Sequence, residues 1–93
     1  MRSILTDDMT TCYICGGRAS EKHHVMHGYS GKDRQLSERY GLYVGLCPRC
    51  HRGSGGVHAD IEKNRELQRD AQRAFEAIYG HETWLNLFMR NYL

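Results

Sequence analysis

Cys47-Pro48-Arg49-Cys50-His51, taken with the earlier Cys12-Tyr13-Ile14-Cys15, decides how this chain folds. Each Cys-x-x-Cys turns the backbone tightly enough to aim both sulfurs at one point. Two such turns make the tetrahedral four-sulfur cage that Zn²⁺ prefers. The segment between the pairs carries His23-His24, and His51 follows directly on the second pair. A shared metal would therefore gather three histidines in space.

The chain has 93 residues, enough for one domain with a modest core. A structural metal then supplies much of the folding free energy, on the order of 10 kcal/mol for apparent zinc binding. We divide the domain into a leader at 1–11, a metal-finger core at 12–58 and C-terminal helices at 59–93. The alternative use of four cysteines, two disulfides, belongs to oxidising compartments. The first residues carry Arg2 but also Asp7 and Asp8 and no long apolar run, which is not the pattern of a signal peptide. No stretch approaches the roughly 18 apolar residues of a membrane span. The expectation is a cytoplasmic protein with no membrane association and with metal-bound thiolates.

Net charge is +2, unevenly spread. Residues 1–58 hold eight Lys/Arg against five Asp/Glu, whereas residues 59–93 hold five against six. The positive half is the cysteine and histidine half. That suits a polyanionic partner such as nucleic acid, and on charge alone an ordinary solvated surface fits equally well.

In chain order, 1–11 is expected to be loosely held. Gly16-Gly17 reverses the first knuckle, with a positive φ. Residues 21–26 form a strand on which His23 and His24 point to opposite faces. A polar loop covers 27–35, and Ser37 caps a single turn that Gly41 ends after Tyr40. Residues 42–46 pair with the first strand, and Pro48 suits the second knuckle. After the Gly53–Gly56 loop the pattern turns helical from about Ala59. Leu67, Ala71, Ala74, Phe75 and Ile78 form one apolar stripe that stops at Gly80. A second helix spans about Thr83 to Asn91, burying Trp84, Leu87 and Phe88. Leu85, Met89 and Leu93 lie on another face, where they suggest self-association.

Cys12, Cys15, Cys47 and Cys50 would close a structural site with no open position for a substrate. Iron knuckles of the rubredoxin type read similarly. There, however, an electron-transfer site has no use for crowded histidines, and His51 stands here in place of a glycine. Cys47-x-x-Cys50-His51 also fits c-type haem attachment, which leaves Cys12-x-x-Cys15 unexplained. The histidines suit hydrolysis. That chemistry needs ligands for a divalent cation, a base for water and positive charge beside phosphates, and histidine serves as ligand or base near neutral pH.

Cys-x-x-Cys, then His23-His24-Val25, then Leu46-Cys47-x-x-Cys50-His51 resembles the HNH endonucleases. Their core is a zinc-stapled ββα-metal, treble-clef-like finger. The spacing and the ending Gly80-His81-Glu82-x-Trp84 and Asn91-Tyr92-Leu93 are similar to small prophage-encoded members, close in style to phage recombination-enhancement nucleases. The resemblance covers residues 12–58 and implies an α+β fold with a C-terminal helical extension.

By that resemblance His23 and His51 bind a catalytic Mg²⁺ or Mn²⁺, and His24 is the general base that activates water. Arg49, Arg52, Lys22 and Lys32 contact phosphates, giving affinity rather than sequence choice. His58 and His27 stand as additional ligands or phosphate contacts. The family's middle asparagine has no counterpart, since no asparagine precedes Asn64; its place falls near Glu38 to Tyr40. The implied partner is DNA, with specificity from DNA shape or from a partner such as a recombination or phage protein, in the cytoplasm of a bacterial host; a homodimer would allow two cuts. The alternative is a non-catalytic zinc-finger module binding nucleic acid or protein, in which the histidines brace the cage.

Overall fold

The computed structural model describes residues 2–28 and 31–93; positions 29 and 30 of the expected loop lie outside the described residues. The chain runs β1 (Glu21–His24), α1 (Lys32–Tyr40), β2 (Tyr43–Leu46), α2 (Pro48–Arg52), α3 (Ile61–Tyr79) and α4 (His81–Phe88). It is a small mixed α+β structure with a two-stranded sheet. Among the described residues no helix is long and apolar enough to cross a membrane.

β1 and β2 pair antiparallel, with Glu21 opposite Leu46 and His24 opposite Tyr43. Both strands are shorter than expected. Val25 and Met26 leave the ladder yet stay buried, because Val25 N donates to Leu42 O at 3.0 Å and Met26 N donates to Ser37 Oγ at 3.0 Å. Ser37 is thus not a cap. It lies inside α1, fully buried, and its hydroxyl also donates to Met26 O at 2.7 Å. The helix starts six residues earlier than expected, since Lys32 to Gln35 continue it without a breaker. Gly41 ends it in the left-handed region.

The N-terminal stretch is docked rather than loose. Ser3 Oγ donates to Tyr43 O at 2.6 Å, Ile4 N to Gly41 O at 2.9 Å, and Ile4 and Leu5 pack against the core.

Asp60 caps α3 by accepting from Glu62 N at 3.0 Å and Lys63 N at 3.3 Å. Leu67, Ala71 and Phe75 are buried as the stripe requires, but Ile78 is 57% exposed. Its expected share of the core goes to Gln68 and Gln72. The C-terminal tail explains Gln72. Its amide donates to Asn91 Oδ1 at 2.8 Å and Glu76 Oε2 at 2.6 Å, and accepts from Tyr92 N at 2.7 Å. A fully bonded amide of this kind is tolerated in a core.

α4 begins at His81 and stops at Phe88, short of Asn91, because Met89 turns left-handed with φ 59°. Trp84 and Phe88 fill the space against Phe75, with ring centroids 5.5 Å apart for Phe75 and Trp84 and 4.3 Å for Trp84 and Phe88. Burying each such ring contributes about 1.5–3 kcal/mol. Met89 and Leu93 are exposed, but Leu85 packs on the core and so leaves the suggested association face.

Candidate metal centres

The first knuckle closes when Cys12 N donates to Gly17 O at 2.7 Å and Gly16 N to Cys12 O at 2.9 Å, with Gly16 at φ 78°. At the second, Cys47 caps α2, Cys50 N meets Cys47 Sγ at 3.4 Å and Pro48 occupies the first turn. The four sulfurs lie within 4.8 Å of one another, and all four thiols are free. Cys15 and Cys47 Sγ are 3.8 Å apart. A tetrahedron with Zn–S bonds of about 2.3 Å has edges of about 3.8 Å. The set fits a metal such as zinc. Charge agrees: burial pushes the Cys50 thiol up to about 12, with the neighbouring thiols adding to the rise. At Cys12 burial also acts upward, yet contacts with the Cys15, Cys47 and Ile14 amides hold the thiol down at about 6. A divalent cation among the four offsets their mutual repulsion.

A second cluster sits beside this cage. One ring nitrogen each from His23, His51 and His58 lie within 4.8 Å of one another. Ring centroids are 5.0 Å apart for His23 and His51, and 4.8 Å for His51 and His58. His58 arrives by a fold-back of the glycine loop, where Val57 N donates to Cys50 O at 2.8 Å and His58 N to His51 O at 3.4 Å. That return demands glycine at 56, since a Cβ there would stand 2.7 Å from Arg49 O.

His23 is buried and its Nε2 has no hydrogen-bond partner among the described residues. Burial first, then the neighbouring imidazoles, hold it down at about 3, so it is neutral, as a ligand must be. His51 Nδ1 lies 2.7 Å from Glu21 Oε1, which fixes that nitrogen as the protonated one and leaves Nε2 as the ligand atom. Glu21 also binds Arg52, whose Nε donates at 3.0 Å, and these contacts with Arg52 and then His51 hold its carboxyl near 2. The three imidazoles fit a divalent ion. An all-imidazole set suits first-row transition ions better than Mg²⁺.

His24 is not among the three clustered ligands. It occupies the opposite side of β1 from His23, with Nε2 2.7 Å from Glu38 Oε2, yet it lines the cavity in front of the cluster. His27 adjoins His58 at 5.4 Å between centroids without joining the closest set. Among the four expected phosphate contacts, Lys22 is bound to Glu38 at 2.8 Å and lies over the Tyr43 ring, while Arg52 is bound to Glu21. Arg49 is exposed on α2 and Lys32 opens α1.

Three residues escaped the sequence reading. Glu21 had a signal, since it shares a strand face with His23 by alternation. Glu38 falls where the missing asparagine was sought, but nothing local assigned it to His24. Arg34, on α1, lines the same cavity and had no signal at all. No protein-family model, curated protein or solved structure matches the chain.

Proposed function

We propose that this protein is a metal-dependent endonuclease of the HNH type. Its core would be a zinc-stapled, treble-clef-like ββα-metal finger that hydrolyses DNA phosphodiester bonds. The observation that carries the reading is the His23, His51 and His58 cluster opening on a cavity that His24 also lines.

In this reading the zinc cage holds β1 and α2 in register, so that His23 and His51 converge. Glu21 orients His51. Glu38 accepts from His24 Nε2–H, which leaves Nδ1 bare as the basic nitrogen. Nδ1 takes a proton from water, the water oxygen attacks phosphorus, and the bond to the 3′ oxygen breaks. His23, His51 and His58 would hold a divalent ion, which would supply stabilisation of the charge developing on the phosphoryl oxygens and the leaving oxygen. The donor set favours Mn²⁺ or another transition ion over Mg²⁺.

The test is nicking of supercoiled plasmid in Mn²⁺ and Mg²⁺ beside a His24→Ala variant of equal zinc content. Metal-dependent nicking lost in the variant supports the nuclease and its base together. DNA retardation without nicking in any metal supports the binding-module alternative instead.

A further inference from the structure

Two cavities open beside the histidine cluster. The smaller, about 130 Å³, is lined by Lys22, Arg34 and five histidines. The larger, about 310 Å³, is lined by His27, Gly28, Gly31, Arg34 and His58. That volume lies at the low end of the roughly 300–1,000 Å³ range of ligand pockets. His27, Arg34 and His58 belong to both, so the cavities meet along these side chains.

Among the described residues no carboxylate lines either space. The acidic groups nearby are paired: Asp33 with Arg90, Glu38 with Lys22 and His24, and Glu21 with His51 and Arg52, so Glu38 and Glu21 stand behind the lining of the smaller cavity and none of the three is bonded to Arg34. Arg34 is exposed and has no hydrogen bond or ion pair among the described residues, in contrast to Lys22 and Arg52. His27 Nε2 is buried and likewise without a partner. An unpaired guanidinium beside two imidazoles, lining a space with no carboxylate among the described residues, is a poor arrangement for water alone. It is a good one for a phosphate, which accepts two parallel bonds from arginine and one more from an imidazole N–H.

We propose that Arg34, beside His27, holds the nucleic-acid phosphate adjacent to the one attacked, and so sets how the strand enters the site. The description of that phosphate as adjacent to a cut rests on the nuclease reading; the binding of a phosphate there does not. A strand presenting one phosphate to the smaller cavity continues into the larger, where Arg34 receives the next.

The binding arm measures Kd for a short fluorescent DNA against salt, for the wild type, Arg34→Ala, Arg34→Lys and Arg73→Ala. Arg73 is a cation on α3 that is paired with Asp70 and lines neither cavity, so it controls for net charge. Arg34→Ala is expected to weaken binding and to reduce the salt slope by roughly one, as loss of one phosphate contact does. Arg34→Lys keeps the slope but loses part of the affinity, since lysine cannot bind bidentately. A slope and Kd in Arg34→Ala equal to those of Arg73→Ala would overturn the proposal.

In the cleavage arm, Arg34→Ala raises KM and leaves kcat within about threefold. A neutral methylphosphonate beside the cut has the same effect on the wild type and adds nothing to Arg34→Ala. Additive losses would place Arg34 on a different phosphate and overturn the assignment. If the wild type never nicks, the nuclease reading fails and the salt slope alone decides the role of Arg34.

Discussion

Glu38 Oε2 lies 2.7 Å from His24 Nε2, although the two residues belong to different elements, α1 and β1. Lys22 donates to the other oxygen of the same carboxylate at 2.8 Å, so Glu38 is held from both sides. Its carboxyl is lowered by Lys22 first and His24 second. The position sought for the family's asparagine is thus filled by an acid that fixes the tautomer of the proposed base.

This makes Glu38 a positioning residue. Glu38→Ala is expected to lower kcat for nicking about tenfold with KM little changed, whereas His24→Ala loses about 100-fold or more. Glu38→Gln, which can still accept from Nε2–H, should recover part of the loss. An unchanged kcat in Glu38→Ala would remove Glu38 from this role.

Glu21 acts on the metal rather than on the base. Glu21→Gln should weaken Mn²⁺ binding to the histidine cluster by about 10–100-fold, the usual cost of losing a carboxylate behind a ligating imidazole. Calorimetric Mn²⁺ titration of the zinc-loaded protein measures it. Equal affinity in the variant would put the ion elsewhere.

The cysteine cage is expected to hold one zinc per chain and to carry the fold. Elemental analysis should find that ratio, and Cys47→Ser or prolonged chelation should abolish the cooperative thermal transition, given about 10 kcal/mol of apparent binding energy. A cooperative melt surviving complete zinc removal would contradict this.

Acid should destabilise the protein through His23. Its pKa is lowered to about 3 in the folded state from 6.5, so below the higher value the unfolded chain takes up a proton that the folded chain refuses. The stability gained by keeping His23 neutral is complete above pH 6.5 and is lost progressively as pH falls toward 3. Melting temperature, followed while zinc remains bound, should drop on acidification from pH 6.5, and His23→Gln should flatten that limb. Saturating Mn²⁺ should raise it by binding the folded state alone.

Gly45 sits in β2 opposite Lys22, where a Cβ would stand 2.3 Å from Met9 O and 3.0 Å from Ala19 Cβ. Gly45→Ala must push the docked N-terminal stretch away. A loss of about 1–3 kcal/mol is expected on chemical denaturation, in the range of overpacked cores. Gly55→Ala, at φ 78° where an added Cβ would meet only Lys63 Nζ at an ordinary 3.9 Å, should cost less than that.

Much of the site was written in short-range spacing. Cys-x-x-Cys and His23-His24 are local patterns whose geometry a turn or a strand dictates without reference to the rest of the chain. The α3 stripe was legible for the same reason through Leu67, Ala71 and Phe75, and Gly41 and Gly80 marked helix ends because few other residues take their backbone angles. Where distant chain intervened, local reading failed. Ser37 looked like a cap because its partner, Met26, is set by packing. Ile78 looked buried until the tail claimed the neighbouring face through Gln72.

The sequence by itself determined that four thiols would meet in a set able to hold a metal and that histidines would stand beside them, since both follow from residue type and spacing. Only the tertiary structure decided that His58 completes the trio with His23 and His51, that Glu21 and Glu38 hold His51 and His24, and that Arg34, unpaired among the described residues, lines the same cavity. Those contacts join residues from separate elements, and which side chains meet there depends on how the sheet, α1 and the glycine loop close over the cysteine cluster.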